Sequence, residues 1–330
     1  MAARRVLFAI RNPEAARQPG MAKAIQVARA LGASLELFHA ITDPVFIELA
    51  QLEGGSLDAL RERIEGEVRV PLARLCEKAR GHGLKAGYAV EWDYPPHEAV
   101  VRRATTLGAE LIIAECHKGP RGQPWLFHLT DWELLRTSPV PVLLIRNGKP
   151  YHRPVMLAAV DPAHAHAKPA NLDERILASA EELSKALRGT LHVMHASNPS
   201  IVGIDVKAAA RRAMASWSTL TYQELEEQER AIFEEFRAGN QIPRTRAHLV
   251  EGNPTVQIPR LARELRAGIV VMGALSRSGL QRMFIGNTAE RILGALECDV
   301  LVVKPQSFAA QVARETRGIR VSAPTASMLS

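Results

Sequence analysis

Aromatic side chains are scarce in this chain, with Phe, Trp and Tyr making up 5% of its 330 residues. Few platforms exist on which the bases of single-stranded nucleic acid could stack, so nucleic acid is not expected as a partner. Cysteine is scarcer still. Cys76, Cys116 and Cys298 are odd in number, scattered and without a CxxC pair, which argues against a disulfide framework and a zinc knuckle. No apolar run approaches the length of a bilayer span, and no membrane association is expected. The start, Met1-Ala2-Ala3-Arg4-Arg5-Val6, enters a strand-like segment without the long apolar region of a secretory signal, which predicts a cytoplasmic location. A P-loop (GxxxxGKS/T) is absent, and no catalytic base, nucleophile pair or magnesium-binding carboxylate cluster stands out. An enzyme is therefore not the leading expectation.

What is present fits a globular protein, with 47% hydrophobic and 23% charged residues. The formal net charge of +7 permits attraction to polyanions. The basic residues are nevertheless mixed with acidic ones, as in Arg61-Glu62-Arg63 and residues 224–230, a pattern of solvated helix faces.

The second half repeats the first. With an offset of 158, residues 92–146 fall on 250–304; Pro96 lands on Pro254, Thr130 on Thr288, and Val142-Leu143-Leu144-Ile145 on Val300-Leu301-Val302-Val303. Under the same offset Gly273 faces Glu115, and Gly286 faces His128. Small residues let backbone amides approach a phosphate, whereas glutamate brings bulk and negative charge. Two copies of one fold with a single anion site follow.

Each copy alternates strand and helix. The first reads as strands at 6–10, 35–39, 84–92, 111–114 and 140–145, with helices between them and a kink or break at Pro71. The second reads as strands at 155–160, 191–194, 247–250, 269–272 and 300–303, with a long helical stretch over 205–238. This order implies an α/β protein of two doubly wound parallel-sheet domains. The expected division is domain 1–147, linker 148–154, domain 155–305, and a tail 306–330 without periodicity, disordered over 322–330.

In such sheets ligands bind beyond the carboxyl ends of the strands, where strand order reverses. In the second domain that places Val160-Asp161-Pro162 after the first strand and the 273–288 loop after the fourth. Gly286-Asn287-Thr288 meets a helix start, where free amides favour an anion, and Arg277 and Arg282 can add charge-assisted contacts. His164 and His166 form an HxH pair, with His192 and His195 on or beside a strand, but no carboxylate or Cys at useful spacing completes a metal site. No metal is expected. Cys116-His117 reads as a buried cysteine beside a turn.

At these residues the chain resembles the universal stress protein family, whose nucleotide-binding variant carries G-x2-G-x9-G-(S/T). Here the row is Gly273, two residues, Ser276, nine residues, Gly286, then Asn287-Thr288. Ser276 replaces the second glycine and Asn287 the hydroxyl. The turn Val250-Glu251-Gly252-Asn253-Pro254, the strand end Val270-Val271-Met272-Gly273 and the segment Val300-Leu301-Val302-Val303-Lys304-Pro305 are also similar to the family, and the resemblance covers nearly the whole chain. It implies a Rossmann-like fold of the adenine-nucleotide alpha-hydrolase type and a role in survival under starvation, oxidants, oxygen limitation or DNA damage. It also implies ATP or a related nucleotide as ligand. Asp161 would lie beside the nucleoside, Gly273 and Ser276 would frame ribose and phosphates, and residues 286–288 would hold the phosphate tail. The two copies are expected to pack as an intramolecular pseudo-dimer through their last strands, with homodimerisation and protein partners open. Two other readings stand beside this one: a slow ATPase or autokinase, and a scaffold that binds an apolar or lipid-linked ligand or none.

Overall fold

The computed structural model describes residues 4–42, 45–46, 56–116, 129–163, 171–197, 222–273, 287–309, 312–319 and 321–322. The chain divides into two compact units, Met1–Tyr151 with Phe308–Ser330, and His152–Ser307.

In the first unit the order is β1 (Arg5–Ala9), α1 (Met21–Ala30), β2 (Ser34–Ile41), β3 (Val45–Phe46), α2 (Leu57–Gly81), β4 (Ala86–Trp92), α3 (Pro96–Leu107), β5 (Leu111–Glu115), α4 (Leu129–Thr137) and β6 (Val142–Ile145). Its main sheet runs β4-β2-β1-β5-β6, with all neighbouring strands parallel. The second unit holds β7 (Val155–Ala159), α5 (Leu172–Ala186), β8 (Thr190–Ser197), α6 (Tyr222–Gly239), β9 (Ala247–Glu251), α7 (Pro254–Glu264), β10 (Ile269–Gly273), α8 (Asn287–Ala295) and β11 (Asp299–Val303). Its strands run β11-β10-β7-β8-β9, again parallel.

The central strands are covered on both faces, which is why they read as continuous apolar runs. Leu7, Phe8, Ile112 and Ile113 are fully buried in one sheet, and Leu157, Val270 and Val271 in the other. Helix α1 contributes a stripe of Met21, Ala24, Ile25 and Ala28. Proline opens α3 and α7, where its missing N–H costs nothing, and Asn253 caps α7 by accepting a bond from the Thr255 amide at 2.9 Å. Gly108, at φ 66°, ends α3 in the left-handed conformation.

Three expectations need correction or completion. Pro71 does not break the helix: α2 continues through it, carried by the buried stripe of Leu72, Cys76 and Ala79. The stretch expected to be helical over 205–238 is helical from Tyr222, and residues 198–221 lie outside the described residues. The tail is not featureless. Residues 312–319 lie on the first unit, held by charge and backbone recognition rather than by an apolar period.

Arg102 donates to both oxygens of Asp93, at 2.7 and 2.8 Å, and to Glu98 at 3.1 Å. Burial opposes the Arg102 charge, but these bonds outweigh it and raise its pKa above the ordinary value. The tail adds the Ala313 carbonyl, which accepts from Arg102 at 3.1 Å, and the Arg317 amide, which donates to Asp93 at 2.9 Å. Arg317 also reaches Glu98 at 2.7 Å, and Ile319 packs on Ile41, Leu60 and Trp92. Asp93→Ala strips a buried guanidinium of its bidentate partner and is expected to cost about 3–5 kcal/mol. Arg317→Ala removes a half-exposed side chain and is expected to cost about 0–1 kcal/mol. Urea denaturation of the full chain measures both, and equal losses would mean that the buried pair is not what organises this corner.

Candidate functional site

Strand order reverses between β7 and β10, because β7 leads towards β8 and β9 on one side while β10 leads to β11 on the other. The crevice of a doubly wound sheet opens there. Met272 pairs with Ala159, so Val160-Asp161 and Gly273 leave adjacent strands side by side. In the first unit Ala9 pairs with Ala114, which puts Ile10-Arg11 and Glu115 in the matching places.

What fills those places differs. In the first unit the Glu115 carboxylate accepts a hydrogen bond from the Gly20 amide, at the start of α1, at 2.5 Å. A Cβ on Gly20 would stand 2.8 Å from Glu115 Cγ and 3.1 Å from Phe8 Cζ, so only glycine lets the carboxylate seat. An internal anion therefore meets a free amide of a helix N-terminus.

In the second unit Gly273 lies against α5. A Cβ there would stand 2.8 Å from Leu172 Cδ2 and 3.1 Å from Ile176 Cδ1. Glycine at 273 thus has a packing reason besides any approach to phosphate. Val160 and Met272 are buried, and the Asp161 amide donates to Asp173 of α5 at 3.1 Å. The Asp161 side chain is about one-third exposed. Asn287 begins α8, and Thr288 in its first turn is exposed. The structure thus brings Val160, Asp161, Met272 and Gly273 together, while Ser276, Arg277, Arg282 and Gly286 lie outside the described residues.

The sequence did not single out Glu229. The run 224–230 reads as a solvated face, yet Glu229 is buried and stands 3.6 Å from Nε2 of the buried His195. The available signal was Phe233, four residues on and fully buried, which marks that side of the helix as facing inward.

The histidines do not converge. His192 and His248 stack at 5.2 Å and share a ring-nitrogen hydrogen bond of 2.8 Å. Burial lowers the pKa of both, and at His192 the charges of His248 and Arg246 add to it. His164 and His166 lie outside the described residues, among which no three His, Cys, Asp or Glu side chains are placed to hold a metal. Cys116 is buried at the end of β5. A cleft of about 510 Å3 in the first unit, lined by Ile25, Arg29, Lys78 and His82 among others, sits on helices α1 and α2 rather than at the strand ends. Among the described residues no helix is long and apolar enough to cross a membrane.

The model of the universal stress protein family matches residues 2–146 and again 158–304. The chain belongs to that family. It is 27% identical over 308 residues to universal stress protein E of Escherichia coli K12, covering 92% of this chain and 94% of the relative. The corresponding protein of Photorhabdus laumondii is 24% identical over 305 residues, covering 92% of this chain and 95% of that one. A Pseudomonas aeruginosa UCBPP-PA14 protein assigned to the universal stress proteins has a crystal structure that matches with a TM-score of 0.70 at 25% identity, covering 92% and 94% of the two chains. A universal stress protein of Archaeoglobus fulgidus DSM 4304 shares the fold, with a TM-score of 0.61 at 16% identity over 90% of this chain and 98% of that one. The architecture is therefore that of tandem universal stress protein domains, each a Rossmann-like parallel sheet.

Packing at Gly273 predicts that Gly273→Ala costs about 1–3 kcal/mol through overcrowding of Leu172. Leu172→Ala in the same chain should return part of that cost. An unchanged urea midpoint for Gly273→Ala would show that the Leu172 side chain gives way freely.

Proposed function

We propose that this chain is a non-enzymatic, cytoplasmic stress protein that supports survival under starvation, oxidative stress or DNA damage. Its C-terminal domain, residues 155–305, takes one molecule of ATP or a related nucleotide in the crevice between β7 and β10. Its N-terminal domain, residues 1–147, takes none. The observation that carries this reading is the contact between Glu115 and the Gly20 amide, 2.5 Å long, which satisfies the first domain's helix start with a side chain of its own. The matching place in the second domain is Gly273, flanked by Val160-Asp161.

In this reading Asp161 lies beside the nucleoside and Met272, Gly273 and Ser276 line the ribose and phosphates. Arg277, Gly286, Asn287 and Thr288 receive the phosphate tail, with the start of α8 supplying free amides.

Native mass spectrometry of the freshly purified full chain, followed by calorimetric titration with ATP, tests the site. One nucleotide per chain is expected, with binding lost in Gly286→Val while circular dichroism is unchanged. Two nucleotides per chain, or full affinity in Gly286→Val, would overturn the assignment. Gly286→Val is a cleaner probe than Gly273→Glu, because position 273 also packs on Leu172.

A further inference from the structure

The two copies carry a histidine at one matching position. Phe38 pairs with Ala9 and Met194 with Ala159, so His39 and His195 follow at the same place in β2 and β8. Each turns Nδ1 to the carbonyl of the residue just past the first strand of its copy. His39 meets Ile10 O at 2.8 Å, and His195 meets Val160 O at 3.3 Å. That bond is a shared structural feature that ties neighbouring strand ends together.

The second copy adds carboxylates to it. His195 Nδ1 lies 3.7 Å from Asp161 Oδ1, and Nε2 lies 3.6 Å from Glu229 Oε2. The first copy has Arg11 where the second has Asp161. His195 is 1% exposed, and the Phe233 ring lies at 6.0 Å from it. Because the carboxylates address opposite ring nitrogens, one metal ion cannot engage both through this imidazole.

The protonation of the ring follows from what it faces. Nδ1 points at a carbonyl and a carboxylate, both acceptors, so it carries hydrogen. A neutral ring with hydrogen only on Nδ1 would aim the Nε2 lone pair at the Glu229 carboxylate. In a buried, low-dielectric setting that arrangement is repulsive, and a proton on Nε2 turns it into a favourable charge contact at 3.6 Å. Asp173, which accepts from the Asp161 amide at 3.1 Å, brings a third carboxylate to the group.

We propose that Glu229, His195 and Asp161 form one charge-coupled array in which His195 is a positioning residue. Held as an imidazolium by Glu229, it fixes the ionised Asp161 carboxylate at the crevice where the nucleoside is recognised. The ligand-binding half of this inference rests on the nucleotide reading above, and the protonation half does not. Asp161 is the partly exposed member, so a change at the buried His195 reaches a ligand through it.

Two measurements on the full-length chain test this array. The first is nitrogen NMR of 15N-histidine-labelled protein at neutral pH, with the His195 signals assigned by their loss in His195→Gln. Both ring nitrogens of His195 are expected to be protonated in the wild type, and Glu229→Gln is expected to return the ring to the neutral form with hydrogen on Nδ1. A neutral His195 in the wild type would overturn the array, as would a protonation state that Glu229→Gln leaves unchanged. The second is calorimetric titration with ATP. His195→Gln is expected to lower affinity about tenfold in the wild-type background and to have no effect in an Asp161→Ala background. Equal losses in the two backgrounds would overturn the positioning role. If the wild type takes no ATP, the nucleotide reading fails, and the array stands or falls on the NMR result. Glu229→Gln preserves side-chain volume, so the NMR test does not depend on His195→Gln folding normally.

Discussion

A doubly wound parallel sheet opens a crevice where its crossovers part to opposite sides, and the amides at the ends of the flanking helices need partners there. Most of what distinguishes the two domains follows from how this need is met. In the first, a strand-end glutamate crosses to the neighbouring helix and supplies an anion covalently attached to the protein, with a bond of 2.5 Å to the Gly20 amide. In the second, the strand-end residue is Gly273, and the helix that begins at Leu172 packs directly against it. Each solution requires a matched pair. Glu115 needs glycine at position 20, and Leu172 needs glycine at position 273. A side chain added at either glycine alone meets its partner at 2.8 Å, so the difference between the domains is built into their packing.

The architecture was legible in the sequence because parallel strands buried on both faces leave unbroken apolar runs and the repeat shows the same order twice. The Gly273–Glu115 difference was legible too, since an offset of 158 aligns the two positions. The destination of the Glu115 carboxylate was not legible. Its partner amide is 95 residues away, and nothing local at Gly20 announces it. The same limit hid the corner built by Asp93, Arg102 and Arg317. Residues 312–319 have no hydrophobic period, and their order comes from one buried ion pair and a backbone amide 224 residues from its acceptor. Glu229 was misread for a related reason. A charge-rich helix looks solvated, yet Glu229 shares its buried side with Phe233, four residues on.

Each of these three sites turns on a carboxylate. In two of them a carboxylate is drawn inward by a specific donor or cation, the Gly20 amide for Glu115 and the Arg102 guanidinium for Asp93, and in the third Glu229 is buried 3.6 Å from Nε2 of His195. An ionised carboxylate is too costly to bury without a partner, so Asp93 with Arg102 marks a place where the fold is held by one particular pairing as well as by general apolar burial. Two of the three lie in the first unit and one in the second.

Duplication explains why such pairings could accumulate unevenly. A chain carrying two copies of a fold can let one copy satisfy a helix amide with its own side chain while the other keeps a different residue at that place. Glu115 makes that contact in the first domain, on the Gly20 amide. In the second domain the carboxylates instead surround His195, while Asp161 keeps part of its surface exposed at the crevice. In the first domain the strand-end carboxylate meets a helix amide, whereas in the second the carboxylates of Asp161 and Glu229 lie on either side of the His195 ring.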